Sequence, residues 1–564
     1  MISKELLAVA RGDLRAELVF RGGRVFDAFN GVFVETDLAV HQGRIAGMGD
    51  YEGETVVDCQ GKYLIPGFID AHVHLESSMM TPDQFSGLLL SRGTTAVVAD
   101  PHELANVYGM HAVDYLLGAA ERIPLDLFVM LPSCVPATEM ETAGAVLEAE
   151  DLEPRMGADR VLGLGEMMNF PGVIQGDDRV LAKLEMAGRY RKPLDGHMDT
   201  TDRNSFNAYA AAGIEANHEC TTPEAARLNL ENGLRLMIRE GTATKNLEAL
   251  LPVVNEFNLS QCMFCTDDRH PDHIRHEGHI DYMVRRSISL GIRPEWAIRM
   301  ASLNAAQFFG LKDRGALQPG KLADMLVVSD LERLEIDQVY KSGVLVAEHG
   351  EYTGTAPESI PLPEGMKVGL NARPITREDL VLDTDRPVLP VIGIIPNEVV
   401  TRHEEVAAAA VNMEDFRKIV VVERHHASGN VGVGLIRGFD FRNGAIGSTI
   451  AHDSHNIVIS GDNDEDILAA FEELNRIRGG LVVVSGGEVL AELPLPIGGL
   501  LSDRPYEEVE EALEKLRLAV ESLGDRGRFD PFMTLAFMAL PVIPELKITD
   551  RGMFDVMAFR HLDQ

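Results

Sequence analysis

Between Phe68 and Leu311 the sequence repeats one unit eight times: a short apolar run, a polar residue at its carboxyl end, then a helical stretch. The runs close at His72 and His74, at Asp100 before His102, and at Ser133, Glu166, His197, His218, Arg239 and Asp267. The ends recur roughly every 20 to 33 residues, the length of a strand, a helix and two loops. Eight such units in succession predict an α/β fold built on a closed (β/α)8 barrel. Parallel strands then present their carboxyl ends, and these polar residues, at one mouth.

The first run is the most informative. Leu64, Ile65, Phe68 and Ile69 lead into His72-Val73-His74, and residues two apart on a strand share a face. Both imidazoles can therefore address one ion. His102, Glu166, His197, His218 and Asp267 join them at the predicted mouth. Only 18 histidines occur in 564 residues, so chance does not readily place five at strand ends. The donors are nitrogen and oxygen without thiolate, which points to two divalent ions, Mn2+, Fe2+ or Zn2+, rather than a structural cysteine site.

A chain of 564 residues is too long for one core and predicts two or three domains. Short apolar stretches punctuated by Gly, Asn and Asp occupy residues 16–63, and a matching β pattern returns only after residue 315. We read residues 1–66 and 313–360 as one composite β-sandwich domain, with the barrel (67–312) inserted as a metal-dependent hydrolase barrel would be. Residues 356–364 are the best linker, and residues 375–564 read as a separate α+β domain. Gly315 to Lys321 imitates a phosphate loop, but Leu322 stands where a Ser or Thr must hold magnesium and a strand follows where a helix is needed. A formal charge of -36 argues against a nucleic-acid partner. Five scattered cysteines suit a reducing cytoplasm without disulfides, and Cys262-x-x-Cys265 reads as core packing. The amino terminus lacks an apolar leader and no run of about 18 apolar residues occurs, so no membrane association is expected.

The segment Pro66 to His74, the later His197, His218 and Asp267, and the returning Gly-Lys-Leu-Ala-Asp (320–324) resemble the amidohydrolase superfamily. More narrowly, His-Val-His-Leu-Glu-Ser-Ser-Met-Met (72–80), Ala-Asp-Pro-His-Glu (99–103), Gly-Leu-Gly-Glu-Met-Met-Asn-Phe-Pro-Gly-Val (163–173), Thr-Asp-Asp-Arg (266–269) and Ala-Leu-Pro-Val-Ile-Pro-Glu-Leu (539–546) resemble the bacterial adenine deaminase family. The resemblance covers nearly the whole chain, the last domain included. It implies hydrolytic deamination of adenine to hypoxanthine and ammonia, in purine salvage. Many superfamily members bridge two metals with a carboxylated lysine on the fourth strand; here that strand ends in Glu166, which the resemblance implies is the bridge. It places His72 and His74 with Asp267 on one ion and His197 and His218 on the other. A bridging hydroxide would attack C6, with Asp267 moving the proton.

For protonating or binding the ring, the candidates are Glu76, His102, Glu103, Arg239, Glu240 and Asp268, with His102 and Glu103 first. In the last domain His452 and His455 are read as a polar turn, with a lid over the mouth or a further metal site as the functional alternatives. A homo-oligomer, dimer or larger, is expected. Two other readings compete. A cyclic-amide hydrolase of the dihydroorotase or hydantoinase kind would share the metals, but Glu166 in place of lysine and the extra domain count against it. A scaffold with a dead site should lack ligands, and here the set is complete.

Overall fold

A computed structural model of the protein describes residues 3–355, 358–382 and 386–562. Ala356, where the expected linker begins, lies outside the described residues. The eight predicted strands form as β1 (Phe68–Val73), β2 (Thr94–Ala99), β3 (Asp126–Leu131), β4 (Val161–Met167), β5 (Leu194–Gly196), β6 (Ala216–Asn217), β7 (Arg235–Arg239) and β8 (Cys262–Cys265). Their apolar residues divide by alternation into two clusters. Val97, Leu127, Val129, Leu236 and Phe264 pack outward against the helices. Ala96, Val98, Phe128, Met130, Met237 and Met263 fill the barrel with Ala305 and Phe309 beneath them. Period-two alternation thus builds the strand–helix layer and the barrel interior from the same runs.

The ladder is parallel but interrupted. Strands β1 to β5 make one sheet and β6 to β8 another. The seam between β8 and β1 is closed by Asp267 N donating to His72 O at 3.0 Å and His74 N to Asp267 O at 3.3 Å. Between β5 and β6, which are short, Glu215 N donates to Leu194 O at 3.0 Å. On β1 the pairing is irregular between Asp70 and Val73: Ile69 and Ala71 belong to the interior cluster, whereas Val73 packs outward. Such a break re-aims side chains next to a site, and here it turns His72 and His74 into the lumen.

The β segments on either side of the barrel join one nine-stranded sheet. Tyr63–Pro66, the strand that leads into the barrel, pairs with Ala16–Asp27 on one side and with Met325–Asp330 on the other. Ala16–Asp27 pairs with Gly53–Asp58 along its first half and with Tyr63–Pro66 along its second. It bends at Gly22, whose φ of 67° favours glycine. The single sheet can therefore wrap around Phe20, Val25, Leu38, Leu64 and Tyr340. Asp126 at the foot of β3 binds Arg160, Arg314 and Lys341, tying barrel and sheet together. The Gly315–Lys321 turn leads into Met325–Asp330, and the Lys321 amine is taken by the Lys312 and Arg314 carbonyls.

Beyond the linker an eight-stranded sheet, running from Val388–Ile394 to Glu488–Pro494, carries helices Asp464–Arg476 and Tyr506–Ser522. Two of its strands carry little local signal: Thr401–Ala407 is polar and charged through its middle, and Ala445–Ser448 is four residues of small or apolar character. This unit docks on the barrel mouth. Ser502 N donates to Met79 O at 2.8 Å, and the Met79 side chain joins the core of the last domain. Among the described residues no helix is long and apolar enough to cross a membrane, and all five cysteines are free and buried.

Candidate metal centre

Four imidazoles converge on one carboxylate. Glu166, at the end of β4, has Oε1 at 3.1 Å from His102 Nδ1 and 3.5 Å from His74 Nε2. Its Oε2 lies 2.9 Å from His218 Nε2 and 3.7 Å from His197 Nε2. Asp267, just past β8, places Oδ1 3.0 Å from His74 Nε2 and 3.8 Å from His72 Nε2. The arrangement includes two separate donor sets, His72–His74–Asp267 and Glu166–His197–His218, linked by His74–His102–Glu166. Apart from the half-buried His197, these side chains are at most 6% exposed.

The backs of the rings are held by acceptors. His72 Nδ1 lies 3.0 Å and His218 Nδ1 3.5 Å from the same Asp195 oxygen, and His74 Nδ1 bonds the Asp100 carbonyl at 3.0 Å. With Nδ1 of His72 and His74 engaged, their Nε2 is left to face the centre, while His218 Nδ1 lies near Asp195 without hydrogen-bonding to it. Gly165 allows the Asp100 carboxylate to approach: a Cβ there would stand 2.0 Å from Asp100 Oδ2, the atom that accepts Glu166 N at 2.8 Å.

Burial by itself would raise the Glu166 carboxyl, but His197, His218, His74 and His102 hold it well below the usual range. Asp267 is likewise held low against burial by His74 and Arg239, and Asp195 by His218 and His72. The donor set fits divalent ions. His218 is wholly buried and neither of its ring nitrogens has a hydrogen bond, nor does His102 Nδ1. Buried polar atoms without partners are rare, and convergent imidazoles beside ionised carboxylates are what a cation would satisfy.

The remaining candidates scatter. His102 and Glu103 open helix His102–Tyr108 rather than ending β2. Arg239 donates to Asp267 Oδ2 at 2.8 Å and to Glu219, so it braces the centre. Glu76 caps that helix through Leu104 N at 3.0 Å, while its second oxygen has no partner; burial pushes its carboxyl up to about 7. Asp268 accepts from Ser77 Oγ. Glu240 turns away to Leu247 N at 3.0 Å. His452 and His455 reach the mouth and contact Glu103. Sequence reasoning missed Asp195, Glu219 and Asp453. Asp195 carried a signal, since it stands two residues before His197 in the same run.

A parallel barrel whose mouth gathers imidazoles around a shared carboxylate is the architecture of a metal-dependent hydrolase. The amidohydrolase family model matches residues 63–346, and the adenine deaminase C-terminal domain model matches residues 396–560. Adenine deaminase 2 of Carboxydothermus hydrogenoformans is 48% identical over 565 residues, covering 99% of this chain and 98% of that one. Adenine deaminase of Desulfatibacillum aliphaticivorans is 45% identical over 566 residues, with 99% of both chains covered. That of Halalkalibacterium halodurans is 44% identical over 570 residues, with 99% and 97% covered. The chain belongs to the amidohydrolase family, in its adenine deaminase branch.

Proposed function

We propose that the chain hydrolyses adenine to hypoxanthine and ammonia at this mouth, as a step of purine salvage. One observation carries the reading: the relatives named adenine deaminase match 99% of the chain, so both the barrel mouth and the domain that covers it are shared. His72, His74 and Asp267 would hold one divalent ion and His197 and His218 the other, with Glu166 between them. When bound, the metal pair supplies Lewis acidity that lowers the pKa of the attacking water.

The protein groups do the rest. Asp267, kept ionised by His74 and Arg239, takes a proton from the water and delivers it to the exocyclic nitrogen as the C6–N bond breaks. The second proton of the water ends on the ring nitrogen. His102, with Nε2 3.5 Å from Glu103 Oε1, is placed to deliver it, and Glu76 is the second candidate. A cavity of about 780 Å3 lined by Ser77 and His270 of the barrel and by His452, Glu510 and Phe532 of the last domain is large enough to admit the base. Nitrogen and oxygen donors suit Mn2+, Fe2+ or Zn2+, of which we take Mn2+ or Fe2+ as the working pair. Five free, buried cysteines support a cytoplasmic setting. A homo-oligomer completes the reading.

The test is ammonia and hypoxanthine release from adenine by protein reconstituted anaerobically with Mn(II) or Fe(II). Turnover that disappears in Glu166→Gln and Asp267→Asn is expected. Adenine left untouched while dihydroorotate or a hydantoin is opened would overturn the reading in favour of cyclic amides.

A further inference from the structure

The last domain brings two histidines onto one residue of the mouth, Glu103. His452 Nδ1 meets Glu103 Oε1 at 2.6 Å across a sequence separation of 349 residues, and His455 Nε2 abuts Oε2. Each ring is itself fixed. His455 Nδ1 accepts Ala451 N–H at 3.2 Å, so its own ring hydrogen sits on Nε2, the atom that lies against Glu103 Oε2 as an ion-pair contact without hydrogen-bond geometry. The His452 ring stacks on Phe537, centroids 4.4 Å apart and planes 18° apart. Their loop is anchored in turn, Asn456 Nδ2 donating to the barrel's Thr142 O at 2.9 Å and Arg424 to His455 O. The same Glu103 Oε1 that meets His452 also faces His102 Nε2, and the other nitrogen of that ring, Nδ1, is 3.1 Å from the Glu166 carboxylate. Asp453 Oδ1 stands 3.8 Å from the same His102 Nε2 that Glu103 addresses at 3.5 Å. An unheld Glu103 would leave His102 to choose between two carboxylates.

We infer that the last domain is part of the active site, and that His452 and His455 are positioning residues that pin both oxygens of Glu103 and thereby aim His102 at the reacting base. The inference rests on the deaminase reading and deepens it: a site built on a loop gains accuracy only when its supporting contacts are locked, and here another domain supplies them. It also accounts for burying two histidines, nearly without solvent contact, against one carboxylate at a domain junction.

The donor atoms differ, and that permits a decisive test on the full-length, metal-loaded enzyme. An Asn amide nitrogen can replace imidazole Nδ1, and a Gln amide nitrogen can replace Nε2. His452→Ala and His455→Ala should each lower kcat for adenine on the order of 10- to 100-fold, with KM within about twofold and metal content unchanged. His452→Asn and His455→Gln should restore most of that loss; the crossed variants, His452→Gln and His455→Asn, should not. In a Glu103→Gln background His452→Ala should cost little further, because coupled residues are not additive. Full kcat in both alanine variants, equal behaviour of matched and crossed amides, or activity lost only in step with metal would overturn the inference while leaving adenine turnover by the parent enzyme standing. A parent enzyme without adenine turnover would instead overturn the deaminase reading, and this inference with it.

Discussion

Asp195→Asn should weaken both metal ions at once. The two oxygens of Asp195 are not shared out: Oδ2 alone faces His72 Nδ1 at 3.0 Å and His218 Nδ1 at 3.5 Å, and those rings stack with centroids 4.0 Å apart. His72 serves one proposed ion and His218 the other, so a single carboxylate steadies a ligand of each. Asparagine is isosteric but uncharged, and turns one acceptor into an amide that opposes a ring N–H. A hydrogen bond to a charged group contributes about 1.5 to 3 kcal/mol, so losing one corresponds to roughly 10- to 100-fold in affinity. Competition against a chromophoric chelator would measure both dissociation constants, and ammonia release at saturating metal would separate binding from turnover. By contrast, His197→Asn removes a ligand from one ion and should leave the other nearly unaffected. Parent-like affinity for both ions in Asp195→Asn would refute the argument that this carboxylate organises the centre.

Asp126 is held down to about 2, burial being outweighed by Lys341 and Arg314. Its folded-state value lies below the unfolded one, so its stabilisation is present above pH 4 and lost as pH falls from about 4 to 2. Urea titrations at several pH values should show Asp126→Asn destabilised by about 2 kcal/mol at neutral pH, with that difference vanishing in acid. Lys547 is the opposite kind of group: its amine reaches only the Val399 and Phe537 carbonyls, and burial lowers it to about 7. The unfolded chain therefore binds the extra proton between about pH 7 and 10.5, stability from this group rises with pH across that window, and Lys547→Met should flatten the slope of Tm there.

How much could be read beforehand follows from where each signal lives. The barrel was legible because its strands are apolar runs with polar ends at regular spacing, and the candidate ligands because five of the 18 histidines fall at the ends of those runs. His74 illustrates the limit: its role was plain, but the irregularity on β1 that brings it and His72 inward is a property of pairing with β2, which no local pattern encodes. Asp195, Glu219 and Asp100 look like ordinary acidic residues in an acidic chain, and only their distance to imidazoles separates them from the solvated majority. Asp453 and the histidines around it were ambiguous for a different reason. Their partner is Glu103, in another domain, and nothing in a loop sequence states what will dock against it.

Depth does not decide which carboxylates of the mouth carry charge; neighbours do. Asp70, Glu76, Asp195, Glu166 and Asp267 are all at most 4% exposed. Glu166 faces four imidazoles, Asp195 two, and Asp267 two with the Arg239 guanidinium; all three are held below the usual carboxylate range. Asp70 has the Thr266 hydroxyl and backbone amides, with His279 Nε2 at 3.2 Å. Burial pushes Asp70 up to about 7 and drives His279 well below its ordinary value, so the ring stays uncharged and the pair is not a salt bridge. Glu76 has only a backbone donor and is likewise pushed up to about 7. Buried negative charge therefore goes with imidazole neighbours, as at Glu103 beside His452 and His455 too, while Asp70 and Glu76 stay protonated more readily. Three ionised carboxylates in a space closed to water are tolerable only with cations beside them, because unpaired buried charge is strongly unfavourable. The same carboxylates hold His74, His102 and His218 well above the ordinary imidazole value against burial, so protonated rings can supply that positive charge, and divalent ions on the same donors would take it over.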